Sequence, residues 1–132
     1  MKNNKIFIFW ICLVVSFFLI FSCKKTDTEN EGAVNQVYRD KTDCTGSTPT
    51  YTADIAPVLN SSCAISGCHN SQTRAHNLDL SNYSSTKGSF DLHSLICSIS
   101  WDGCEQMPQG GSKLPDATIK KIICWSKNNY PQ

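Results

Sequence analysis

Two cysteines and a histidine stand close together in "NSSCAISGCHN", residues 60–70. Four residues separate Cys63 from Cys68, and His69 follows the second cysteine directly. Thiolates and imidazoles bind zinc, and paired thiols form disulfides. Two cysteines followed by a histidine are also typical of covalent haem attachment, although the usual gap between those cysteines is two residues. The segment therefore indicates a zinc site, a disulfide or a covalent haem.

Zinc and plain disulfides are the two alternatives to haem. A structural zinc ion takes four Cys or His ligands, usually as two close pairs. Adjacent Cys68 and His69 project in different directions, and the second pair would have to be Cys97 and Cys104, which have six residues between them. Three disulfides among six cysteines would need no cofactor and allow fifteen pairings. That alternative leaves His69 without a role.

Covalent haem explains why the histidine adjoins the second cysteine. Two thiols add to the two haem vinyl groups, and the following histidine then lies under the porphyrin with a ring nitrogen toward the iron. A four-residue gap is compatible with this chemistry if the extra residues loop outward. Ser66 and Gly67 favour such a loop, because glycine tolerates backbone angles that other residues resist. Cys63, Cys68 and His69 are thus candidate haem-binding residues.

A methionine in a second motif is a candidate for the other axial position. Met107 lies in the loop "CEQMPQGGSKL", and apart from Met1 it is the only methionine. Imidazole and thioether ligands together are the electron-transfer arrangement of haem iron. A methionine that merely fills a core is less expected in a loop rich in Pro and Gly. His76 and His93 are alternative sixth ligands, which would give a bis-histidine haem.

Two stretches, "YTADIAPVLNSSCAISGCHN" and "MPQGGSKLPDATIKKIICW", resemble the small class I c-type cytochrome domains of exported bacterial proteins. The likeness is strongest to those on Bacteroidetes-type lipoproteins, where the longer cysteine gap occurs, and it covers about residues 50–130. It implies an all-α, cytochrome c-like fold of short helices and long loops around one haem c. It also implies thioethers at Cys63 and Cys68, axial ligation by His69 and Met107, and one-electron transfer to redox partner proteins rather than enzymatic catalysis.

The first residues predict export to a membrane surface. Lys2 and Lys5 precede an uncharged apolar run that ends at Ser22, directly before Cys23. Basic, apolar and cleavage regions in this order are typical of an export signal. "LIFSC" resembles the lipobox of bacterial lipoproteins, which implies that residues 1–22 are removed and that Cys23 carries a lipid. The periplasmic side or the cell surface is then the expected location; a permanent transmembrane anchor is the alternative.

Removal of residues 1–22 changes the charge of the chain. The net charge of +1 includes Lys2 and Lys5, so ten basic and eleven acidic residues remain, or about −1. No basic surface then argues for a nucleic-acid partner. Polar residues 23–43 predict a flexible tether, and residues 44–132 the cytochrome c-like domain. A domain of this size needs disulfides or a cofactor to stabilise it.

Three short helices and no convincing strand pair are predicted in this domain. Apolar spacing predicts helices over about residues 53–60, 89–99 and 115–129. Residues 77–88 are interpreted as a loop with at most one helical turn. The last helix has the clearest pattern, with a buried stripe at Ile119, Ile122, Ile123 and Trp125.

Four cysteines remain if haem uses Cys63 and Cys68 and lipid uses Cys23. Exported cysteines meet oxidising conditions, so these four should pair. We predict Cys97–Cys104, which would hold the methionine loop near the iron, and Cys44–Cys124, because the resemblance implies that the first and last helices cross. The pairing of Cys97 with Cys124 stays open.

Two other functions remain open. One is a disulfide-stabilised binding or structural lipoprotein without a cofactor. The other is a haem peroxidase or gas sensor, which requires Met107 to be absent from the iron.

Overall fold

The computed structural model describes residues 31–132; the predicted signal peptide and Cys23, the predicted lipidation site, lie outside them. The elements in this range are α1 (Glu31–Lys41), a π turn (Tyr51–Ile55), α2 (Ala56–Ser62), a 3-10 turn (Ala75–Asn77), α3 (Tyr83–Leu92), α4 (Leu95–Ser100) and α5 (Asp116–Lys127). No strand occurs between residues 31 and 132, so the all-α prediction is confirmed for that range. No helix in it is long and apolar enough to cross a bilayer.

The π turn and α2 form one continuous helical segment that leads to the first cysteine. Thr50 caps its start, because its side-chain oxygen accepts a hydrogen bond from the Ala53 N–H. Pro57 lies in the first turn of α2, where a missing N–H costs nothing. Ile55 and Leu59 are buried. The helix predicted over residues 53–60 is therefore confirmed, with two further residues at each end.

The middle of the chain differs from the prediction. The loop predicted over residues 77–88 is wrong, because α3 begins there with an Asn82 cap whose side chain accepts from the Ser85 N–H. Asn82 directly precedes the helix, where Asn is a favoured N-cap residue, and the prediction of a loop did not use this signal. The single helix predicted over residues 89–99 is wrong as well. His93 adopts an extended conformation and separates α3 from α4.

Helix α5 forms where the C-terminal helix was predicted. Pro115 precedes it, Asp116 lies in the first turn and Lys127 in the last, so both charges complement the helix dipole. The predicted apolar stripe is buried. Fully buried Trp125 packs edge-on against Phe90 and Tyr130, at centroid distances of 5.6 and 5.0 Å. This aromatic cluster joins α3, α5 and the C-terminal residues in one core.

Helix α1 lies within the segment that was predicted to be a flexible tether. The flexible tether predicted over residues 23–43 is wrong for residues 31–41, which form a helix packed on α3, α4 and α5. Its anchor is Asn35, whose side chain is fully buried and hydrogen-bonded to the backbone between α3 and α4. The polar composition of this segment gives no sign that Asn35 is buried against backbone partners. The folded unit therefore includes α1.

Two disulfides fasten the fold. Cys44 bonds to Cys124, and Cys97 bonds to Cys104. These are the two predicted pairs, and the competing Cys97–Cys124 pairing is not formed. The first links the segment before the π turn to α5. The second links α4 to Cys104, in the loop that contains Met107.

Candidate cofactor site

The loop from Cys63 to His69 is closed by a hydrogen bond within the backbone. The His69 N–H donates to the Cys63 carbonyl oxygen over 3.1 Å, and the Cys68 N–H donates to the Ile65 carbonyl over 3.1 Å. Gly67 occupies a left-handed conformation, with φ of 83°, which glycine adopts without strain. Ile65 and Gly67 are exposed. The long gap is thus taken up by a turn that faces outward, which is the condition under which a four-residue gap is compatible with haem attachment.

His69 is buried and held in one orientation. Its Nδ1 lies 3.1 Å from the Ala75 carbonyl oxygen. A carbonyl oxygen only accepts, so in the neutral ring Nδ1 carries the proton and Nε2 keeps a lone pair. The His69 carbonyl in turn accepts from the Leu80 N–H over 2.8 Å. Residues 70–80 thus wrap the histidine and leave Nε2 as the nitrogen available to a metal.

Cys63, Cys68 and His69 line one cavity of about 500 Å³. This volume falls within the range of roughly 300–1,000 Å³ that is usual for ligand and cofactor pockets. Apolar side chains form a large part of the wall, and its main apolar members are Leu59, Leu78, Leu80, Phe90, Leu95, Ile99, Leu114 and Ile122. The site is therefore suited to a large, mostly apolar group.

Met107 lines the same cavity from a distant part of the chain. Its N–H donates to the Ser98 carbonyl over 3.2 Å, and its carbonyl accepts from the Trp101 Nε1–H over 2.9 Å. The Met107–Pro108 peptide bond is cis. The N–H of Met107 is thus bonded to α4, and its carbonyl is bonded to Trp101, the residue that follows α4. The fold brings the methionine of the second motif to the cysteines and histidine of the first.

The two alternative sixth ligands also line the cavity. His76 is exposed in the 3-10 turn, with φ of 55°. His93 is half-buried at the break between α3 and α4. All the candidate ligands from the sequence therefore lie around one cavity.

The two motif cysteines are free thiols in the structure. Burial, and to a smaller extent the neighbouring Cys68, raises the pKa of the Cys63 thiol to about 11. Two free thiols, a histidine with a fixed Nε2, a thioether sulfur and an apolar wall are groups that could hold a covalently attached haem. The residues present therefore fit this cofactor.

The zinc alternative has less support. Within residues 31–132, no three or more His, Cys, Asp or Glu side chains are grouped so that they could hold a metal ion. Cys63, Cys68 and His69 share a cavity wall without forming such a group.

Two contributors to the site were missed in the sequence. Ala75 acts through its backbone carbonyl, which leaves no signal in the residue type. Trp101 acts through its indole N–H, and a tryptophan six residues before the methionine in a cysteine-containing loop was an available signal.

No family model, curated protein or solved structure matches the chain. The cytochrome resemblance stays a prediction, and the chain's own residues carry the functional interpretation.

Proposed function

We propose that this chain is a mono-haem c-type cytochrome, tethered to a bacterial membrane by a lipid on Cys23, that carries one electron at a time between redox partner proteins. The observation that carries the proposal is the convergence of Cys63, Cys68, His69 and Met107 on one largely apolar cavity. The two sequence motifs lie far apart along the chain, and four groups suited to haem line the same cavity.

Each motif residue would have a distinct role. The Cys63 and Cys68 thiols would each add S–H across a vinyl group, so that two thioethers form and no oxidant is consumed. His69 would bind iron through Nε2, because its Nδ1–H is donated to the Ala75 carbonyl. Such a hydrogen bond fixes the tautomer and increases the basicity of the ligating nitrogen. Met107 would supply the second axial ligand. The haem itself would supply the one-electron chemistry.

Two protein ligands favour electron transfer over enzymatic catalysis. With imidazole and thioether both bound, no axial position is left for oxygen or peroxide. The apolar wall excludes water, and a thioether ligand raises the reduction potential. The protein would then act as a cage that sets the potential, with no catalytic residue of its own.

An absorption spectrum of the purified exported protein, made together with a haem-attachment system, tests the proposal. We expect a reduced α band of low-spin haem, and haem that survives acid and organic extraction. The matched control is the Cys63→Ala/Cys68→Ala protein, from which all haem should extract. A high-spin spectrum would indicate an open axial position and so a peroxidase or sensor.

Absence of visible absorbance would contradict the proposal. It would favour the disulfide-stabilised binding or structural lipoprotein. The two disulfides suit either function, so they do not distinguish between them.

A further inference from the structure

Two side chains of α1 form hydrogen bonds near the two ends of α4. The Oδ1 of Asn35 accepts a hydrogen bond from the Ile96 N–H over 3.0 Å, in the first turn of α4. The Tyr38 hydroxyl donates to Asp102 Oδ2 over 2.9 Å, just after α4 ends. Helix α4 has only six residues, and Ser94 gives it no side-chain cap. A helix this short has little stability of its own, so the position of α4 depends on its contacts with the rest of the fold, including these two hydrogen bonds.

Asn35 satisfies the backbone on both sides of the break between α3 and α4. Its Nδ2 donates to the Phe90 carbonyl over 2.7 Å and to the His93 carbonyl over 2.6 Å. The last carbonyls of a helix and the first N–H groups of the next have no partner within their own helix. Together with the Ile96 contact, the fully buried Asn35 side chain uses two donors and one acceptor to join the two helices.

Helix α4 in turn holds Met107. The Ser98 carbonyl accepts from the Met107 N–H, and the Trp101 indole donates to the Met107 carbonyl. Trp101 is the residue that caps the C-terminus of α4. Hydrogen bonds therefore connect α1 to α4 and α4 to the backbone of Met107.

We propose that Asn35 and Tyr38 are positioning residues, which act through α4 to place Met107 in the cavity. The main contacts of α1 are with α3, α4 and α5, whereas Cys63 and His69 belong to the loop after α2. Displacement of α1 thus loosens the methionine side of the cavity and leaves the cysteine–histidine side in place. The inference rests on the proposed function only where Met107 is taken as an iron ligand.

NMR of methionine methyl groups tests this coupling with or without haem. The chain contains two methionines, Met1 and Met107, so a ¹³C-methyl label gives at most two signals, and Met107→Leu assigns them. We expect Asn35→Ala to shift or broaden the Met107 signal. Gln36→Ala is the matched control, because Gln36 is exposed on the same helix and hydrogen-bonds to nearby Asp40. It should leave the signal unchanged.

A matched pair of tyrosine variants separates positioning from general loss of stability. Tyr38→Phe removes the hydroxyl that contacts Asp102, and Tyr83→Phe removes a hydroxyl that donates to the Tyr130 carbonyl over 2.8 Å. Only Tyr38→Phe should move the Met107 signal. In haem-loaded protein, Asn35→Ala and Tyr38→Phe should increase carbon monoxide binding while the haem stays covalently attached.

An unchanged Met107 signal in folded Asn35→Ala and Tyr38→Phe proteins would overturn the inference. If Asn35→Ala loses its helical circular dichroism, Tyr38→Phe alone decides. A wild-type protein without haem would contradict the proposed function and still leave the methyl signals readable, so the two failures are distinguishable.

Discussion

His69 Nδ1 lies 3.1 Å from the carbonyl oxygen of Ala75. The Ala75 N–H donates to the Cys68 carbonyl over 3.0 Å, so one residue holds both the second cysteine and the histidine that follows it. This double contact fixes the orientation of the imidazole. Preorganisation of this kind lowers the entropy that metal ligation would otherwise cost.

The first prediction concerns the two motif cysteines. Cys63→Ala and Cys68→Ala should each leave one covalent link to haem, and the double variant should leave none. The reason is that, under the proposed function, each thiol would form one thioether with one vinyl group. Intact-mass spectrometry after acid and organic extraction measures this directly. Cys97→Ser/Cys104→Ser is the control, because these two cysteines are paired with each other and should not affect attachment.

Replacement of the methionine gives the second prediction. Met107→Ala should keep haem attached, lower the midpoint potential and open the iron to exogenous ligands, because a thioether stabilises reduced iron. Redox titration and binding of carbon monoxide measure these changes. Gln106→Ala, at the exposed neighbouring position, should behave as wild type. A Met107→Ala protein with the wild-type spectrum and potential would mean another sixth ligand, with His76→Ala and His93→Ala the next variants.

The spacing of apolar residues in the sequence predicted the helices that pack through their own apolar side chains. The spacing of Ile119, Ile122 and Ile123 identified α5, because a helix that buries one face must repeat its apolar residues at that period. The same reasoning failed for α1, since Asn35 is polar and its partners are backbone atoms some sixty residues away, at separations of 55, 58 and 61. Long-range pairing of a polar side chain leaves no periodic signal.

The candidate site shows the same difference between side chains, which the sequence identifies, and backbone contacts, which it does not. Cys63, Cys68, His69 and Met107 could be named from residue type and spacing, because their chemistry resides in side chains. The contact from Ala75 could not, since any residue offers a carbonyl oxygen. Its role depends on how residues 70–80 wrap the histidine, which only the folded chain shows.

The third prediction compares the two disulfides. Cys44→Ala should lower the free energy of unfolding by about 4–5 kcal/mol, because the lost bond closes a long loop in the unfolded chain. Cys104→Ala should cost only about 2 kcal/mol by the same relation. The corresponding sequence separations are 80 and 7 residues. Both variants leave the buried partner cysteine in place.

Denaturant unfolding of the two variants measures this difference, and non-reducing peptide mapping of the wild type checks the pairs. Equal losses of stability, or a mapped Cys97–Cys124 peptide, would contradict the prediction. Neither result would affect the haem proposal.

The last prediction concerns the Cys63 thiol in haem-free protein. Burial raises the pKa of this thiol to about 11, and the nearby Cys68 adds a smaller contribution. Only the thiolate is a nucleophile, so alkylation by iodoacetamide should be slow at pH 8 and should increase as the pH approaches 11. Measurement in Cys68→Ser protein isolates Cys63, because the other four cysteines of the described chain are paired.

The sign of the linked change in stability follows from the raised pKa. The folded state holds the thiol proton more tightly than the unfolded state, whose cysteine has a pKa of roughly 8.5. The stability that comes from burial of the neutral thiol is therefore complete below that pH, and it is lost as the pH rises through about 11. Chemical denaturation between pH 8 and 11 should show this loss in Cys68→Ser protein and a smaller one in Cys63→Ser/Cys68→Ser protein. Cys63 is half-buried at the cavity wall, and an alkylation midpoint equal to that of the unfolded chain would show that this position does not shield its thiol.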